Sequence, residues 1–444
     1  MASAPVGSAK VLPCCQSVSR DVGVGRDMLL FVRDSSLVCV VWVFVLVALL
    51  SGVCQGGEKI DVLIAGNQIA VEQNLRAFFD SEPAVRYHFV PARDPGGAFG
   101  FSQADLVKMI RLYFPRYYQD LKAYDLLILT SPDFNLFTRQ QDRWMYDAIT
   151  EGMGGINDLG VFSIVSGIAE SWSISETQKA FPNDAPAVTA KGCGEAPYGA
   201  FRVVINRQVT FPILTPFIAF GVEDVIAQGC SRMVIHRAGS EVLAWQVGNF
   251  GSIKVDYIAA WEYDKGRTIT NGNAMGACWQ GYPRGPEDNQ YSPGILMNIV
   301  YWLSKRNLID DIKVFHRVKS KLAEYRSRMV IVISLMDFID KFGAKTDDVQ
   351  KELIGLRELC SDASQHYMDQ EFVECEELIQ KALESFSSVE ELARREKDRA
   401  LLWVYMIEWL AASSTLFFSG YILWTLMVRR RLYRQIDTTK LRTR

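Results

Sequence analysis

The sequence predicts an α/β protein with a doubly wound, mostly parallel sheet, followed by an α-helical stalk and a transmembrane helix. Three observations carry this prediction. From Glu58 onward, short apolar runs alternate with amphipathic stretches, as in chains that build parallel sheets. After Lys305 the composition changes to charged, helix-forming residues. Leu401–Val428 is then predominantly apolar over 28 residues.

The clearest strand and helix pair lies at Tyr124–Asp133 and Thr138–Gly155. The first stretch, YDLLILTSPD, contains an unbroken apolar run at Leu126–Leu129, which predicts a buried parallel strand. Thr138 is an N-cap residue with Gln141 at the capping-box position, so a helix follows the strand after a short polar turn. Ligands of open α/β sheets bind at such turns.

The remaining elements of the α/β region are predicted in order from the same patterns. Ser102 caps one helix, with Asp105 at the capping-box position. We expect residues 171–200 to be irregular and the later strands to add an antiparallel extension to the sheet. The predicted strands are 60–65, 87–90, 160–165, 201–205, 232–236, 242–247, 254–263 and a short one after Gly266, and the predicted helices are 69–79, 103–113 and 293–304.

Residues 306–400 are predicted to form a helical bundle or stalk. Apolar residues recur there at spacings of three and four, as at Leu353, Leu356 and Leu359, which indicates an amphipathic helical hairpin. Residues 329–342 are more apolar, but 14 residues are too few to span a membrane and three charges interrupt them. We therefore expect a core helix of the bundle there.

Two hydrophobic runs predict the membrane topology. Residues 401–428 have aromatic residues near both ends and precede a basic cluster that opens the tail 429–444, which predicts a membrane span with a cytoplasmic C-terminus. Residues 37–54 form either a second anchor or a signal peptide, after a disordered cytoplasmic lead at 1–36. Both runs place the bulk of the chain on the extracytoplasmic side of a cell membrane.

Composition argues against several functions. The net charge is −3 and no basic patch is interleaved with aromatic residues, so we expect no nucleic acid partner. The nine cysteines form no CxxC pair and have no histidine at zinc-ligand spacing, so neither a metal nor another cofactor is expected. The cysteines outside the cytoplasm are either paired in one or two disulfides or buried as free thiols.

Six stretches of residues 58–305 together resemble the class I glutamine amidotransferase-like superfamily, in particular its trehalose-utilisation-type branch. The resemblance rests on the order and spacing of these stretches. It implies a flavodoxin-like sheet for residues 58–305. The stretches are YDLLILTSPD at 124–133, RWMYDAITEGMGG at 143–155, GVFSIVSG at 160–167, FPILTPFIAFGVEDV at 211–225, AAWEYDKGRTITNGN at 259–273 and SPGILMNIVYWLS at 292–304.

The resemblance also implies where a catalytic nucleophile would lie. Class I amidotransferases use a cysteine after a central strand, with a histidine and a glutamate downstream. Here the strand at 160–165 is followed by Ser166 and Gly167 in place of a cysteine. Ser166 is a candidate nucleophile or a turn residue, Cys278 and Cys193 are further candidates in glycine-containing segments, and His236 is the default base or a structural histidine.

The best candidate ligand site lies at neighbouring strand ends. It comprises Thr130, Ser131, Asp133 and Asn135 after one strand and Gly167 with Ser166 after the next. Arg267 is a further candidate because the Lys265-Gly-Arg turn resembles the family's Gly-Lys-Gly-Arg hairpin; it is otherwise the partner of a carboxylate.

The sequence therefore predicts a membrane-anchored protein with a degenerate, non-catalytic amidotransferase-like domain. This domain would bind an unidentified small molecule or a protein partner. Alternatively it would scaffold a membrane complex through residues 306–400, by contact with other membrane proteins or with another copy of the chain. The rival hypothesis is an envelope hydrolase that pairs Ser166, Cys193 or Cys278 with His236.

Overall fold

A nine-stranded mixed sheet forms the centre of the first of two structural units in the computed structural model. The structure describes residues 58–67, 75–94, 98–158, 166–183, 199–229, 235–248, 254–272, 279, 289–341 and 347–441. The first unit comprises the described residues up to Ser320 together with Asp362–Glu376, and the second comprises Lys321–Ser361 and the residues from Glu377 onward.

The strands lie in the order β2-β1-β3-β4-β9-β8-β7-β5-β6. The pairs from β2 to β9 are parallel, and those from β9 to β6 are antiparallel. The predicted parallel sheet with an antiparallel extension is thus confirmed, and each part contributes four strand pairs. The strands are β1 (Ile60–Asn67), β2 (Val85–Arg93), β3 (Leu126–Thr130), β4 (Gly154–Asp158), β5 (Gly199–Ile205), β6 (Ile226–Gly229), β7 (Glu241–Gly248), β8 (Lys254–Tyr263) and β9 (Gly266–Asn271).

The helices of this unit begin where the sequence provides caps. Ser102 and Asp105 form a capping box at the start of α2, and Thr138 and Gln141 form another at the start of α4, as predicted. The first-unit helices are α1 (Arg76–Asp80), α2 (Gln103–Tyr113), α3 (Tyr118–Lys122), α4 (Arg139–Glu151), α5 (Ser166–Ser173) and α6 (Ser292–Leu303). The apolar faces of α2 and α4 are buried in one cluster with side chains of β1, β2 and β3.

Strand β4 corrects the predicted helix stretch Thr138–Gly155, because α4 ends at Glu151 and a strand begins at Gly154. Gly154 and Gly155 begin the strand and pair with Leu126 and Leu127 of β3. A Cβ atom at Gly154 would lie 2.7 Å from the carbonyl oxygen of Leu303, so only glycine fits this close approach. The strand predicted at 160–165 lies outside the described residues.

Two other predictions differ from the structure. Strand β6 was not predicted, because IAQG has little of the β-branched or aromatic character that marks strands. In the predicted strand 232–236, the described residues Ile235 and His236 extend no strand, and His236 makes an isolated bridge with Asn183. The other residues of that prediction lie outside the described part of the chain. Residues 69–74 of the predicted helix 69–79 also lie outside it, and α1 covers Arg76–Asp80.

Three long helices follow the α/β region: α7 (Ile312–Lys341), α8 (Asp347–Met368) and α9 (Phe372–Leu441). In the second unit, the Tyr325 ring of α7 packs edge-on against Phe386 of α9, with ring centroids 5.3 Å apart. The Tyr325 hydroxyl donates a hydrogen bond to the Leu356 carbonyl of α8 at 3.1 Å. These contacts join segments of all three helices in one apolar core.

Helix α9 carries the predicted membrane span. Among the described residues, one helix is long and apolar enough to cross a membrane, and it covers Phe372–Arg434. No residue of its most apolar window is buried, and Trp409 is 75% and Phe417 is 76% exposed. An apolar stretch of about 20 residues is long enough to cross a bilayer. The first hydrophobic run, residues 37–54, lies outside the described residues.

Candidate functional site

Polar side chains collect at the carboxyl ends of β1, β3 and β4. The backbone N–H of Asn67 donates to the Thr130 hydroxyl oxygen at 3.1 Å, and both residues are buried. Gly66 allows this approach, since a Cβ there would lie 2.2 Å from the Thr130 carbonyl oxygen. Gly66 also has φ +150°, which L side chains rarely adopt. The ends of β1 and β3 are therefore held together closely.

Ser131 continues this cluster towards β4. Its backbone has φ +48°, a left-handed conformation that is uncommon for a serine. Its hydroxyl donates to Asp158 Oδ1 at 2.8 Å, and both residues are buried. The strained turn thus points the Ser131 hydroxyl at the carboxylate that ends β4, as expected for residues at neighbouring strand ends.

Asp133 and Asn135 form the turn that follows. Asp133 Oδ1 accepts a hydrogen bond from the Asn135 backbone N–H at 3.0 Å, and Asn135 is exposed. The Asp133 N–H donates to the Ala92 carbonyl of β2 at 3.2 Å. The next residue, Phe134, donates its N–H to the Ser171 hydroxyl of α5 at 3.2 Å. The turn is therefore fixed to both β2 and α5.

Arg93 is the unexpected member of the cluster. It ends β2 and is 5% exposed, and its Nη1 has no hydrogen-bond partner among the described residues. Burial lowers the pKa of the Arg93 guanidinium, and the nearby charges of Asp158 and Asp133 act to raise it. Because arginine stays protonated in proteins, the group is a buried cation with a donor left for a further acceptor.

A second set of buried polar groups lies beside it. Asn157 of β4 pairs in register with Leu129 and Thr270, so these three side chains share one face of the sheet. The Thr270 hydroxyl donates to Asn183 Oδ1 at 2.7 Å. Both polar atoms of the Asn157 side chain, and Nδ2 of Asn183, are buried without a partner in the described structure. Orphaned groups of this kind are rare in proteins and call for an explanation.

Of the three predicted nucleophiles, Ser166 alone lies among the described residues. Ser166 and Gly167 begin α5, and the structure describes the backbone of these two residues and not their surroundings. Cys193 and Cys278 lie outside the described residues. The two cysteines of the helical region, Cys360 and Cys375, are buried thiols outside any disulfide.

His236 has a carboxylate partner that the sequence did not reveal. Its Nδ1 lies 2.5 Å from Oδ2 of Asp256 on β8, and the histidine side chain is 46% exposed. Glu241, the carboxylate near it in sequence, instead accepts hydrogen bonds from the backbone N–H groups of Thr210 and Phe211. A carboxylate that orients a histidine is also found in catalytic triads.

Arg267 lies apart from the carboxyl-end cluster. It stands at the start of β9, whereas the register pairs Asn271, at the other end of that strand, with Asp158. Its Nε donates to Glu262 at 2.9 Å and its Nη1 to the Trp302 carbonyl at 3.0 Å. These contacts tie the β8–β9 turn to the end of α6.

The sequence prediction of a ligand site at Thr130, Ser131, Asp133 and Asn135 stays a prediction, and it did not include Arg93, Asn157, Asp158 and Asn183. Arg93 ends β2, three residues beyond the strand end predicted at Val90. Asn157 and Asp158 were not predicted as strand residues, because glycine is depleted in strands and two glycines begin β4. No local signal marks Asn183. Among the described residues, no group of three or more His, Cys, Asp or Glu side chains is arranged to hold a metal ion.

Comparisons with known proteins add structural likenesses of low identity. No protein-family model matches the chain, and no curated protein does either. A cytoplasmic protein from Salmonella typhimurium is similar at 12% identity and a TM-score of 0.36, over 55% of this chain and 98% of that one. A cytoplasmic protein from Salmonella typhimurium LT2 has 15% identity and a TM-score of 0.36, over 55% and 99%. A ThuA-like protein from Parabacteroides merdae has 13% identity and a TM-score of 0.33, over 57% and 92%. At these values the likenesses assign no family.

Proposed function

We propose that this chain is a membrane-anchored binding protein whose amidotransferase-like domain, residues 58–305, takes a small polar molecule at the carboxyl ends of β1–β4. The observation that carries the proposal is the set of orphaned polar atoms there, Nη1 of Arg93 and both side-chain polar atoms of Asn157. A buried polar group without a partner costs about 1–3 kcal/mol. A ligand with hydrogen-bond donors and acceptors would remove that cost.

The order of the strands supports this location. The parallel part of the sheet runs β2-β1-β3-β4-β9, so the chain reverses its direction of travel between β1 and β3. In our proposal this order corresponds to a flavodoxin-like sheet, in which ligands bind outside the carboxyl ends at that reversal. The hydrogen bond from Asn67 to Thr130 lies at the same point.

The charges favour a ligand that is polar on several sides. Arg93 offers donors, while Asp158 and Asp133 offer acceptors close to it. A polyhydroxylated or amide-bearing molecule can accept from Arg93 and also donate to a carboxylate, whereas the two carboxylates would repel a simple anion. In the non-catalytic function proposed here, the domain binds such a molecule without changing it.

The test is thermal unfolding of the full chain in detergent, with a panel of sugars, amino acids and amides. We expect at least one compound to raise Tm, and Arg93→Met to abolish that rise. Arg86→Met is the matched control, since Arg86 lies on the same strand but pairs with Asp61 at the surface. Equal ligand-dependent rises in Tm for Arg93→Met and Arg86→Met would contradict a ligand site at Arg93.

The membrane anchor is the second part of the proposal. The apolar segment 401–428 of α9 would span the bilayer, with the arginines after it in the cytoplasm and the α/β domain on the extracytoplasmic side. Protease protection of intact cells, with tags at both ends, tests the orientation. Protection of the domain in intact cells, with cleavage of the C-terminal tag, would reverse the proposed topology.

One observation favours a second candidate, an amide- or glycan-directed hydrolase at the cell envelope. The contact between His236 and Asp256 would orient a base for Ser166, Cys193 or Cys278. Ammonia release from L-glutamine by the full chain tests the amide version. Activity lost in His236→Ala and Asp256→Asn, and kept in His366→Ala, would establish it, because His366 makes a similar contact with Glu371 at 2.6 Å. If no ammonia is released, the amide-directed hydrolase is contradicted and the proposed binding function stands.

A further inference from the structure

His236 and Asn183 lie side by side over one face of the sheet. The two residues form an isolated antiparallel bridge, so their side chains point to the same side, with Cβ atoms about 5 Å apart. The Asn183 side-chain oxygen accepts a hydrogen bond from the Thr270 hydroxyl of β9 at 2.7 Å. The His236 imidazole contacts the Asp256 carboxylate of β8. Both side chains are therefore directed at the sheet.

The same face of the sheet carries the orphaned side chain of Asn157. Thr270 pairs in register with Asn157 of β4, so their side chains are neighbours on adjacent strands, about 5 Å apart. Asn183 then joins Thr270 to His236. The orphaned amide of Asn157 and the imidazole are thus connected through two polar side chains, although the residues lie far apart in the sequence.

Strand β8 carries Asp256 beyond the ends of the parallel strands. Asn271, the last residue of β9, pairs with Asp158 at the end of β4 and with Ile258 of β8. Because β8 runs antiparallel to β9, Asp256 lies about 7 Å further out than Ile258. Ligands of open α/β sheets bind in this region outside the carboxyl ends. Asp256 and its histidine therefore stand at the side of the carboxyl-end site.

The two neighbouring side chains offer one donor and one acceptor to a ligand. Asn183 is 1% exposed, and its Nδ2 is a buried donor without an acceptor in the described structure. A carboxylate only accepts, so Nδ1 of His236 donates to Asp256, and Nε2 of the neutral imidazole is then an acceptor. The histidine side chain is 46% exposed, which leaves Nε2 accessible.

We infer that His236, positioned by Asp256, determines the specificity of the carboxyl-end site and selects a ligand with several hydroxyl groups. The inference rests on the proposed binding function. One hydroxyl of the ligand can accept from Nδ2 of Asn183 and donate to Nε2 of His236, because a hydroxyl does both. A carboxylate offers Nε2 no donor. Further hydroxyls of the same molecule can pair with both side-chain polar atoms of Asn157.

Thermal unfolding of the full chain in detergent tests the selection. The hydroxylated probes are glucose, xylitol, sorbitol and myo-inositol, and the others are acetate and acetamide. At least one hydroxylated probe should raise Tm, and His236→Ala should reduce that rise by half or more. His366→Ala is the matched control, because His366 pairs through Nδ1 with Glu371 at 2.6 Å and is 39% exposed. Asp256→Asn, which removes the charge that holds the imidazole, should give an intermediate rise.

Modification of the histidines with diethyl pyrocarbonate gives a readout that a purely structural role would not change. The reagent acylates an accessible imidazole nitrogen, and mass spectrometry follows each of the 4 histidines separately. The hydroxylated probe that raises Tm should slow the modification of His236 several-fold and leave that of His366 unchanged. Equal modification rates at His236 with and without the probe would overturn the contact.

The binding function and the role of His236 fail in different ways. A rise in Tm that Arg93→Met abolishes, but that is equal in the parent chain and His236→Ala, keeps the binding site and overturns the role of His236. A rise produced only by probes without hydroxyl groups overturns the selection of hydroxyls alone. If these probes and the amino acids and amides of the wider panel all leave Tm unchanged, the binding function and this inference are overturned together.

Discussion

Lys319 and Glu82 form an ion pair in the interior of the first unit. The Lys319 Nζ lies 2.8 Å from Glu82 Oε2 and 3.2 Å from the Ser81 carbonyl oxygen. The lysine side chain is 12% exposed and the glutamate side chain is fully buried. Burial, and then the charge of Glu82, raises the pKa of the neighbouring Tyr367 hydroxyl well above its ordinary value. The pair thus ties the first part of α7 to the turn before β2.

Lys319→Met should destabilise the protein by about 3–5 kcal/mol, because it leaves the buried Glu82 carboxylate without its cation. Denaturant unfolding of the full chain in detergent measures the loss. The double variant Glu82→Gln with Lys319→Met should recover much of it, since no buried charge then remains. Arg317→Met removes the exposed pair with Glu376 and should change stability little. Equal losses for Lys319→Met and Arg317→Met would contradict the assignment.

Gly66→Ala should destabilise the carboxyl ends of β1 and β3. The added Cβ would lie 2.2 Å from the Thr130 carbonyl oxygen, in a backbone conformation with φ +150°. We expect a loss of more than about 2 kcal/mol by denaturant unfolding. Gly355→Ala in α8 is the control, because nothing lies within 4 Å of its added Cβ. That variant should instead gain about 0.5–1 kcal/mol from helix propensity. A neutral Gly66→Ala would show that the two strand ends are not held this closely.

The sequence predicted local features well, whereas contacts between residues far apart in the chain were not predicted. The capping boxes at Ser102 and Thr138 are read from residues three apart, and both occur as predicted. Lys254–Tyr263 is a strand over its predicted bounds, because half of its residues are β-branched or aromatic. The partner of His236 is 20 residues away, so no local pattern indicates Asp256. The burial of Arg93 depends on the tertiary packing of β2, which sequence periodicity does not encode.

The stability of the protein should fall as the pH rises above 9. Burial raises the pKa of the Cys375 thiol from 9.0 to about 12. Between these values the unfolded chain releases the proton and the folded chain keeps it, so unfolding is favoured as pH rises. This group contributes about 1.4 kcal/mol of lost stability per pH unit in that window, and nothing below it.

Cys375→Ala tests this dependence. The variant should lose some stability at every pH from reduced packing, and its stability should then fall less steeply than that of the parent between pH 9 and 11. Denaturant unfolding at intervals of half a pH unit gives both slopes. Parallel curves for the two proteins would show that the Cys375 thiol titrates alike in the folded and unfolded chains.

Asn157→Leu should stabilise the ligand-free protein. Both polar atoms of the Asn157 side chain are buried without a partner among the described residues, so an apolar side chain of similar size removes a desolvation cost. We expect a gain of about 1 kcal/mol in the free energy of unfolding without ligand. The same change should abolish the rise in Tm with any ligand of the carboxyl-end site.

Asn298→Leu on α6 should have the opposite effect and lower the stability. Asn298 is equally buried, but its Nδ2 donates to the Ile213 carbonyl at 3.2 Å and its Oδ1 accepts from the Ile309 N–H at 2.9 Å. Its replacement leaves two buried backbone groups unpaired and should cost about 2–5 kcal/mol. If Asn157→Leu is as destabilising as Asn298→Leu, Asn157 is a satisfied structural residue. A gain at Asn157, with a loss at Asn298, would mark Asn157 as a group whose partner arrives with the ligand.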